Sequence, residues 1–147
     1  MAPPEQACDI CRGDEFDAEF GRTFVWQDEL WRLTTNIQSP ILGFSYLEPR
    51  RHISYITNLD GEEAASFGPT LAAVTSLLKR TTGADIVYAL IFGDHVAHLH
   101  VNLVPHRAGD PVGGGASLVD PEAPALPAEE HDAFIGRLRS AASELSR

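Results

Sequence analysis

The residues best suited to chemistry lie together in the segment His98-Leu99-His100-Val101-Asn102-Leu103. Side chains alternate between the two faces of a β-strand, so a strand here places His98, His100 and Asn102 on one face. Imidazole near neutral pH can bind a metal, transfer a proton or attack an electrophile. The segment therefore predicts a reactive polar surface backed by aliphatic side chains. The alternative is that these histidines only pack within a sheet.

The two cysteines of the chain form the motif Cys8-Asp9-Ile10-Cys11. In a reducing compartment this spacing is typical of half a metal site or of a redox pair. A redox pair normally opens a helix after a strand, and nothing strand-like precedes Cys8, which favours a metal. With His52 and His98 the pair would complete a Cys₂His₂ zinc site, which is structural because no coordination position stays open.

If His98 binds metal, His100 is left as the reactive imidazole. A neutral imidazole keeps a free lone pair on one nitrogen when the other donates its proton to a backbone carbonyl. Such a nitrogen can attack phosphorus and hold it as a covalent phosphoramidate. Asn102 adds an amide that could donate to a phosphoryl oxygen. His100 and Asn102 are therefore the predicted catalytic residues of a nucleotidyl-transfer site.

Composition limits the class of protein. The chain has 147 residues and a formal net charge of −10, which fits one domain and argues against a nucleic-acid partner. A small phosphorylated ligand stays compatible with this charge. No apolar run reaches the roughly 18 residues that a membrane span needs, so we expect no membrane partner. The first residues lack the features of a signal peptide, and we expect a cytoplasmic protein.

The pattern of elements predicts a single α+β domain with about five mostly antiparallel strands, one main helix and a C-terminal helix. The early strands are predicted at 22–26, 30–34 and 43–47, and the main helix begins at Asp60 with an Asp-x-x-Glu capping box. Pro69 should kink that helix or split off its first turn. Its apolar stripe comprises Phe67, Leu71, Val74 and Leu78.

The second half of the chain is predicted to carry the histidine segment at its centre. A nearly continuous apolar strand at 84–92 turns at Gly93-Asp94 into the histidine strand. Residues 108–127 are rich in Gly and Pro, which is typical of a mobile loop. A C-terminal helix follows at 128–146, and the core of the domain is expected at about 8–110.

The segment from His98 to Pro105 resembles the signature of the histidine triad (HIT) superfamily, His-φ-His-φ-His-φ-φ with a following Pro, at every position but one. The early Cys-x-x-Cys, Asn36 before the third strand and Pro49-Arg50-Arg51-His52 after it extend the likeness. The resemblance implies a homodimeric HIT-like α+β fold. It also implies an enzyme that acts on the α-phosphate of a nucleotide conjugate through a covalent nucleotidyl-histidine.

The resemblance also implies individual roles. His100 matches the nucleophile, and His98 matches the first triad histidine, a zinc ligand in members that have the Cys pair. Asn36 matches a ribose-contacting residue. The turn with Gly93, Asp94 and His95 matches the phosphate-binding turn, so these residues and Asn36 are the expected substrate contacts.

Four positions depart from the family pattern. Asn102 replaces the third histidine that hydrolase members keep, whereas uridylyltransferases carry Gln there, another amide. Asp94 and His95 stand where many hydrolases have Gln followed by Ser or Thr. An ionised Asp94 near phosphate is repulsive by about 1–4 kcal/mol, so either it points away or His95 compensates as a cation. Phe44 replaces a common histidine.

Two functions follow from these residues. The first is a HIT-type hydrolase of phosphoric esters, anhydrides or phosphoramidates, or a nucleotidyltransferase when the acceptor is not water. The alternative is a non-catalytic, zinc-stabilised nucleotide-binding protein with the same fold.

Among the other residues, His106 is expected at a solvent-exposed rim and His131 exposed on the last helix, with Trp26 and Trp31 packing the first hairpin.

Overall fold

The computed structural model describes residues 8–110 and 124–146. Its helices are α1 (Asp14–Phe20), α2 (Gly61–Thr82) and α3 (Ala128–Ala142), with short 3₁₀ turns at Ile10–Arg12, Ile56–Asn58 and Ser143–Ser146. Its strands are β1 (Arg22–Gln27), β2 (Trp31–Asn36), β3 (Ser45–Pro49), β4 (Ile86–Ile91) and β5 (Val101–His106). Most of the predicted Gly/Pro-rich loop, 111–123, lies outside the described residues.

These strands form one antiparallel sheet in the order β1-β2-β3-β5-β4. The predicted α+β class, with a five-stranded antiparallel sheet, is therefore confirmed. β5, which carries Asn102, lies between β3 and β4, whereas β4 is an edge strand. Within the described ranges, no helix is long and apolar enough to cross a membrane.

One face of the sheet carries the hydrophobic core. Leu33, Leu47, Val101 and Leu103 occupy alternate positions on their strands, and each is fully buried. They cluster with buried side chains of α2 and α3, namely Val74, Leu77, Leu78, Phe134 and Leu138. The predicted stripe of α2 and the packing of Trp26 and Trp31 are confirmed, because all belong to or line this cluster.

The opposite face carries buried ion pairs and a small apolar cluster around Val104, and α1 contacts β1. Arg22 donates to Glu48 at 2.7 Å, and Arg32 bonds both Glu48 and Asp17. Burial leaves Glu48 only 2% exposed, so its charge depends on these arginine partners. Neither α1 nor this ion cluster was predicted.

The start of α2 differs from the prediction. Asp60 is the N-cap residue, but its side chain makes no cap hydrogen bond. Arg51 instead donates to the carboxylates of Asp60 and Glu63. The predicted capping-box hydrogen bond is therefore wrong, because the guanidinium of Arg51 binds the carboxylates of Asp60 and Glu63. The helix also continues through Pro69, so its first turn is not split off.

The histidine segment is not a regular strand over its full length. The ladder begins only at Val101, and residues 92–100 form the connection from β4. Leu99 N–H donates to the Ile53 carbonyl at 2.7 Å, outside the sheet. The predicted strand start at His98 is thus wrong, because this part of the chain bonds the segment after β3.

His131 is buried rather than exposed. Its side chain is 0% exposed, and its Nε2–H donates to the Ser39 carbonyl at 3.0 Å. The partner lies 92 residues away in the chain. The periodicity of the helix could not show that its polar residue faces a loop.

Candidate functional site

The four predicted metal ligands lie close together in the structure. The ligand atoms of Cys8, Cys11, His52 and His98 all lie within 4.8 Å of one another. His98 Nδ1 is 3.4 Å from both thiol sulfurs, and His52 Nδ1 is 3.3 Å from Cys11 Sγ. In tetrahedral zinc sites with ordinary bond lengths, sulfur and nitrogen ligands are about 3.6 Å apart. The donor set and its spacing therefore fit zinc.

Neighbouring groups fix the orientation of both imidazoles. His98 Nε2–H donates to the Pro49 carbonyl at 2.9 Å, which leaves Nδ1 with its lone pair towards the thiols. His52 Nε2 lies 3.0 Å from Ser54 Oγ. Burial lowers the pKa of His98 below its ordinary value, partly opposed by the Pro49 hydrogen bond and by the charge of Glu48. His98 is therefore neutral near pH 7, the form that binds metal.

His100 is held by the backbone of this same cluster. Its Nδ1–H donates to the His98 carbonyl at 2.7 Å. A proton on Nδ1 leaves the lone pair on Nε2. The side chain is half-buried and lines a cavity of about 400 Å³. This arrangement can present a nucleophilic nitrogen to a ligand in the cavity.

Asn102 lines the same cavity from β5. The residue is 4% exposed, and its Nδ2 donates to the Leu90 carbonyl at 3.1 Å. A primary amide has a second hydrogen and an oxygen acceptor besides the atoms of this contact. The amide can donate a hydrogen bond, but it has no ionisable proton to give near neutral pH.

The remaining wall of the cavity is formed by the connection that enters the histidine segment. Gly93, Asp94 and His95 line it, as do Phe92 and Val96. Gly93 has φ +149°, and a Cβ there would lie 3.2 Å from Tyr55 Cδ1. The backbone conformation thus favours glycine, and Tyr55 leaves little room for a Cβ. Asp94 and His95 are exposed.

Asn36 lies apart from the residues that line the cavity. Its Nδ2 donates to Tyr46 Oη at 3.0 Å, and its Oδ1 accepts from Gln38 N–H at 2.7 Å. Tyr46 is the register partner of Asn102. The structure therefore connects Asn36 to the site through Tyr46 rather than placing it in the cavity wall.

Several supporting groups escaped the sequence analysis. Ser54 orients the imidazole of His52, and the Pro49 carbonyl orients that of His98. Tyr55 packs against Gly93. All three lie close to His52 in the chain, so the position of His52 was the one available signal. The contacts themselves could not be predicted, because every residue type has a backbone carbonyl that can accept a hydrogen bond.

No family model matches the chain, and no curated protein matches it by sequence. Similar solved structures include a histidine triad protein from Marinobacter aquaeolei VT8, with TM-score 0.75, 20% identity and coverage of 90% of this chain and 96% of that one. A zinc-bound histidine triad family protein from Mycobacterium smegmatis has TM-score 0.64 and 23% identity, covering 97% and 98%.

A diadenosine triphosphate hydrolase from Plasmodium falciparum is also similar. The TM-score is 0.62 at 13% identity, and the match covers 82% of this chain and 76% of that one. At these identities the likeness concerns the fold. Together with the segment from His98 to Pro105 and the Cys and His cluster, it shows that this chain has the histidine triad fold.

Proposed function

We propose that the protein is a HIT-type enzyme, a nucleotide hydrolase or nucleotidyltransferase that acts on the α-phosphate of a nucleotide conjugate. The observation that carries this proposal is the hydrogen bond from His100 Nδ1–H to the His98 carbonyl, 2.7 Å long, beside a cavity of about 400 Å³. It leaves a nucleophilic Nε2 where a phosphorus atom can approach. The fold shared with a diadenosine triphosphate hydrolase supports the same class of chemistry.

In the proposed reaction, His100 Nε2 attacks the α-phosphorus and the bond to the leaving group breaks. A covalent nucleotidyl-histidine results, which water or another acceptor then cleaves. Asn102 stabilises the charge on a phosphoryl oxygen through its free amide hydrogen. The His98 carbonyl accepts from Nδ1 throughout and holds the ring in one orientation.

The substrate contacts are Asn36, Gly93, Asp94 and His95. Backbone N–H groups of the turn after Gly93 face the phosphate, where the conformation of glycine permits close approach. Asp94 contributes its backbone to this turn, because its exposed carboxylate would repel the charge of the phosphate. Asn36 binds the ribose in exchange for one of its present partners, Tyr46 or Gln38.

The proposal includes a structural zinc ion held by Cys8, Cys11, His52 and His98. Zinc would supply a crosslink between the segment before α1 and the segment after β3, with no open position for catalysis. His98 then links the metal site to His100 through its own carbonyl. The Cys-x-x-Cys spacing of Cys8 and Cys11 also fits a dithiol redox pair, but the two imidazoles oriented towards the thiols favour zinc.

The protein is further proposed to be a cytoplasmic homodimer joined through the free edge of β4. This edge strand is the apolar run Ile86–Ile91, and Ile86 is 44% exposed. Exposed apolar edge strands pair readily with another strand. Light scattering should give about twice the 16.0 kDa chain mass. The double substitution Ile86→Lys with Ala89→Lys should give a monomer.

Phe24→Lys is the matched control for this test, because Phe24 is 40% exposed and lies on β1, at the opposite edge of the sheet from β4. A monomeric wild type, or a dimer that persists in the double variant, contradicts the β4 interface.

A panel of nucleotide conjugates tests the proposed activity. Dinucleoside polyphosphates, nucleotide sugars and nucleoside phosphoramidates are incubated with the protein, and release of a mononucleotide is measured by chromatography. We expect turnover of at least one class. The alternative, a non-catalytic nucleotide-binding protein, is favoured by the amide at Asn102. Binding of conjugates without any turnover would select it over the enzyme.

A further inference from the structure

The cavity holds a second histidine whose role the proposed reaction leaves open. His95 lines it together with His100 and Asn102. We propose that His95 is the general acid that protonates the leaving group, a task that the amide of Asn102 cannot perform. This assignment rests on the proposed function and concerns its first chemical step.

Asn102 cannot supply the proton. An amide has no ionisable hydrogen near neutral pH. Its Nδ2 is also committed to the Leu90 carbonyl, and burial to 4% exposure restricts any rotation. The residue can therefore orient a phosphoryl oxygen but must leave proton transfer to another group.

Within the part of the chain that the structure describes, His95 is the remaining proton donor among the lining residues. Among the lining residues, Asp94, His95 and His100 can exchange protons. The Nδ1–H of His100 is committed to the His98 carbonyl, and its Nε2 is the nucleophile. Imidazole is the side-chain type that ordinarily both gives and takes protons near neutral pH, whereas carboxyl groups ordinarily titrate well below it.

The segment that carries His95 is anchored on both sides. Gly93, two residues before His95, packs against Tyr55. Val96, the residue after it, packs against the cluster of Cys8, Ile10 and Phe16. His95 itself is exposed, so it lies at the open side of the cavity. A leaving group departs towards solvent, which is where a proton donor is needed.

The step balances as follows. The lone pair of His100 Nε2 forms the bond to phosphorus, and the electron pair of the breaking bond goes to the leaving oxygen or nitrogen. The imidazolium of His95 gives that atom its proton and becomes neutral. In the second step neutral His95 takes a proton from water as the water oxygen attacks phosphorus, and the pair of the P–N bond returns to His100.

The competing role for His95 is that of a cation that only binds phosphate. The two roles differ in their dependence on the leaving group. A general acid matters most when the leaving atom is basic, whereas a phosphate-binding cation aids all substrates alike. Comparison of substrates with the same nucleotide and different leaving groups therefore separates them.

The experiment uses His95→Gln and two substrates, the p-nitrophenyl ester and an alkylamine phosphoramidate of the same nucleoside monophosphate. General acids contribute about 10²–10⁴-fold. We expect kcat/KM for the phosphoramidate to fall by about 10²-fold or more, and that for the p-nitrophenyl ester by less than about 10-fold. Added imidazole should restore phosphoramidate turnover in His95→Ala. His106→Gln is the control, because His106 lies at the far end of β5 beside Asp110.

Equal losses for both substrates, or no loss for either, overturn the assignment of His95 while leaving the proposed function in place. Failure of the wild type to release nucleotide from both substrates and from every class of the conjugate panel overturns the proposed function, and with it this assignment. Thermal melting of each variant verifies that the fold is retained.

Discussion

Replacing His100 with alanine is expected to lower kcat/KM for nucleotide release by at least about 10³-fold. The change removes the nitrogen that forms the bond to phosphorus, and the bound amide of Asn102 offers no substitute nucleophile. The melting temperature should stay close to that of the wild type, because His100 is half-buried beside a cavity and outside the main hydrophobic cluster. Steady-state kinetics and thermal melting on the same samples provide both values.

His106→Ala is the control for this substitution. His106 is also a partly buried histidine of the same segment, but it lies at the end of β5 and is not among the residues lining the cavity. It should retain activity within a few-fold. Persistent wild-type turnover in His100→Ala would refute the nucleophile, and equal losses in both variants would indicate a general structural effect.

Loss of zinc is expected to have the largest effect on stability. Metal analysis of the wild type should give one zinc ion per chain, and Cys8→Ser with Cys11→Ser should give none. A ligand that binds only the folded state stabilises it by about 4 kcal/mol at a thousandfold excess over its Kd. For a domain of this size, such a loss lowers the melting temperature by roughly 10 °C.

The double cysteine variant also provides an internal control. A strong chelator should lower the melting temperature of the wild type towards that of the variant and leave the variant unchanged. Turnover should fall as well, because the His98 carbonyl that orients His100 belongs to a zinc ligand. A wild type that contains no metal and whose melting temperature is unchanged by the chelator would contradict the zinc site.

The chemistry-bearing residues could be predicted because their types are few and their spacing is informative. Cys8, Cys11, His52 and His98 were expected to converge, and their ligand atoms do lie together. The general arrangement in which a ring N–H of His100 donates to a backbone carbonyl could also be predicted. The carbonyl itself, that of His98, could not be named, because backbone acceptors are independent of sequence.

What escaped prediction depends on contacts between distant segments. Glu48 is buried because Arg22 and Arg32 reach it from two other strands, and His131 is buried because a loop carbonyl accepts its proton. Local patterns give no such partners. The irregular backbone at His98 has the same origin, since its neighbour Leu99 bonds Ile53 rather than a strand of the sheet.

The most direct test of the central claim is to trap the covalent intermediate on His100. Wild-type protein is mixed with a conjugate that turns over, quenched in alkaline denaturant to preserve the P–N bond, and analysed by intact and fragment mass spectrometry. We expect a mass increment of one nucleoside monophosphate, mapped to His100 and absent from His100→Ala. Turnover that leaves no increment, or that places the nucleotide on another residue, would contradict it.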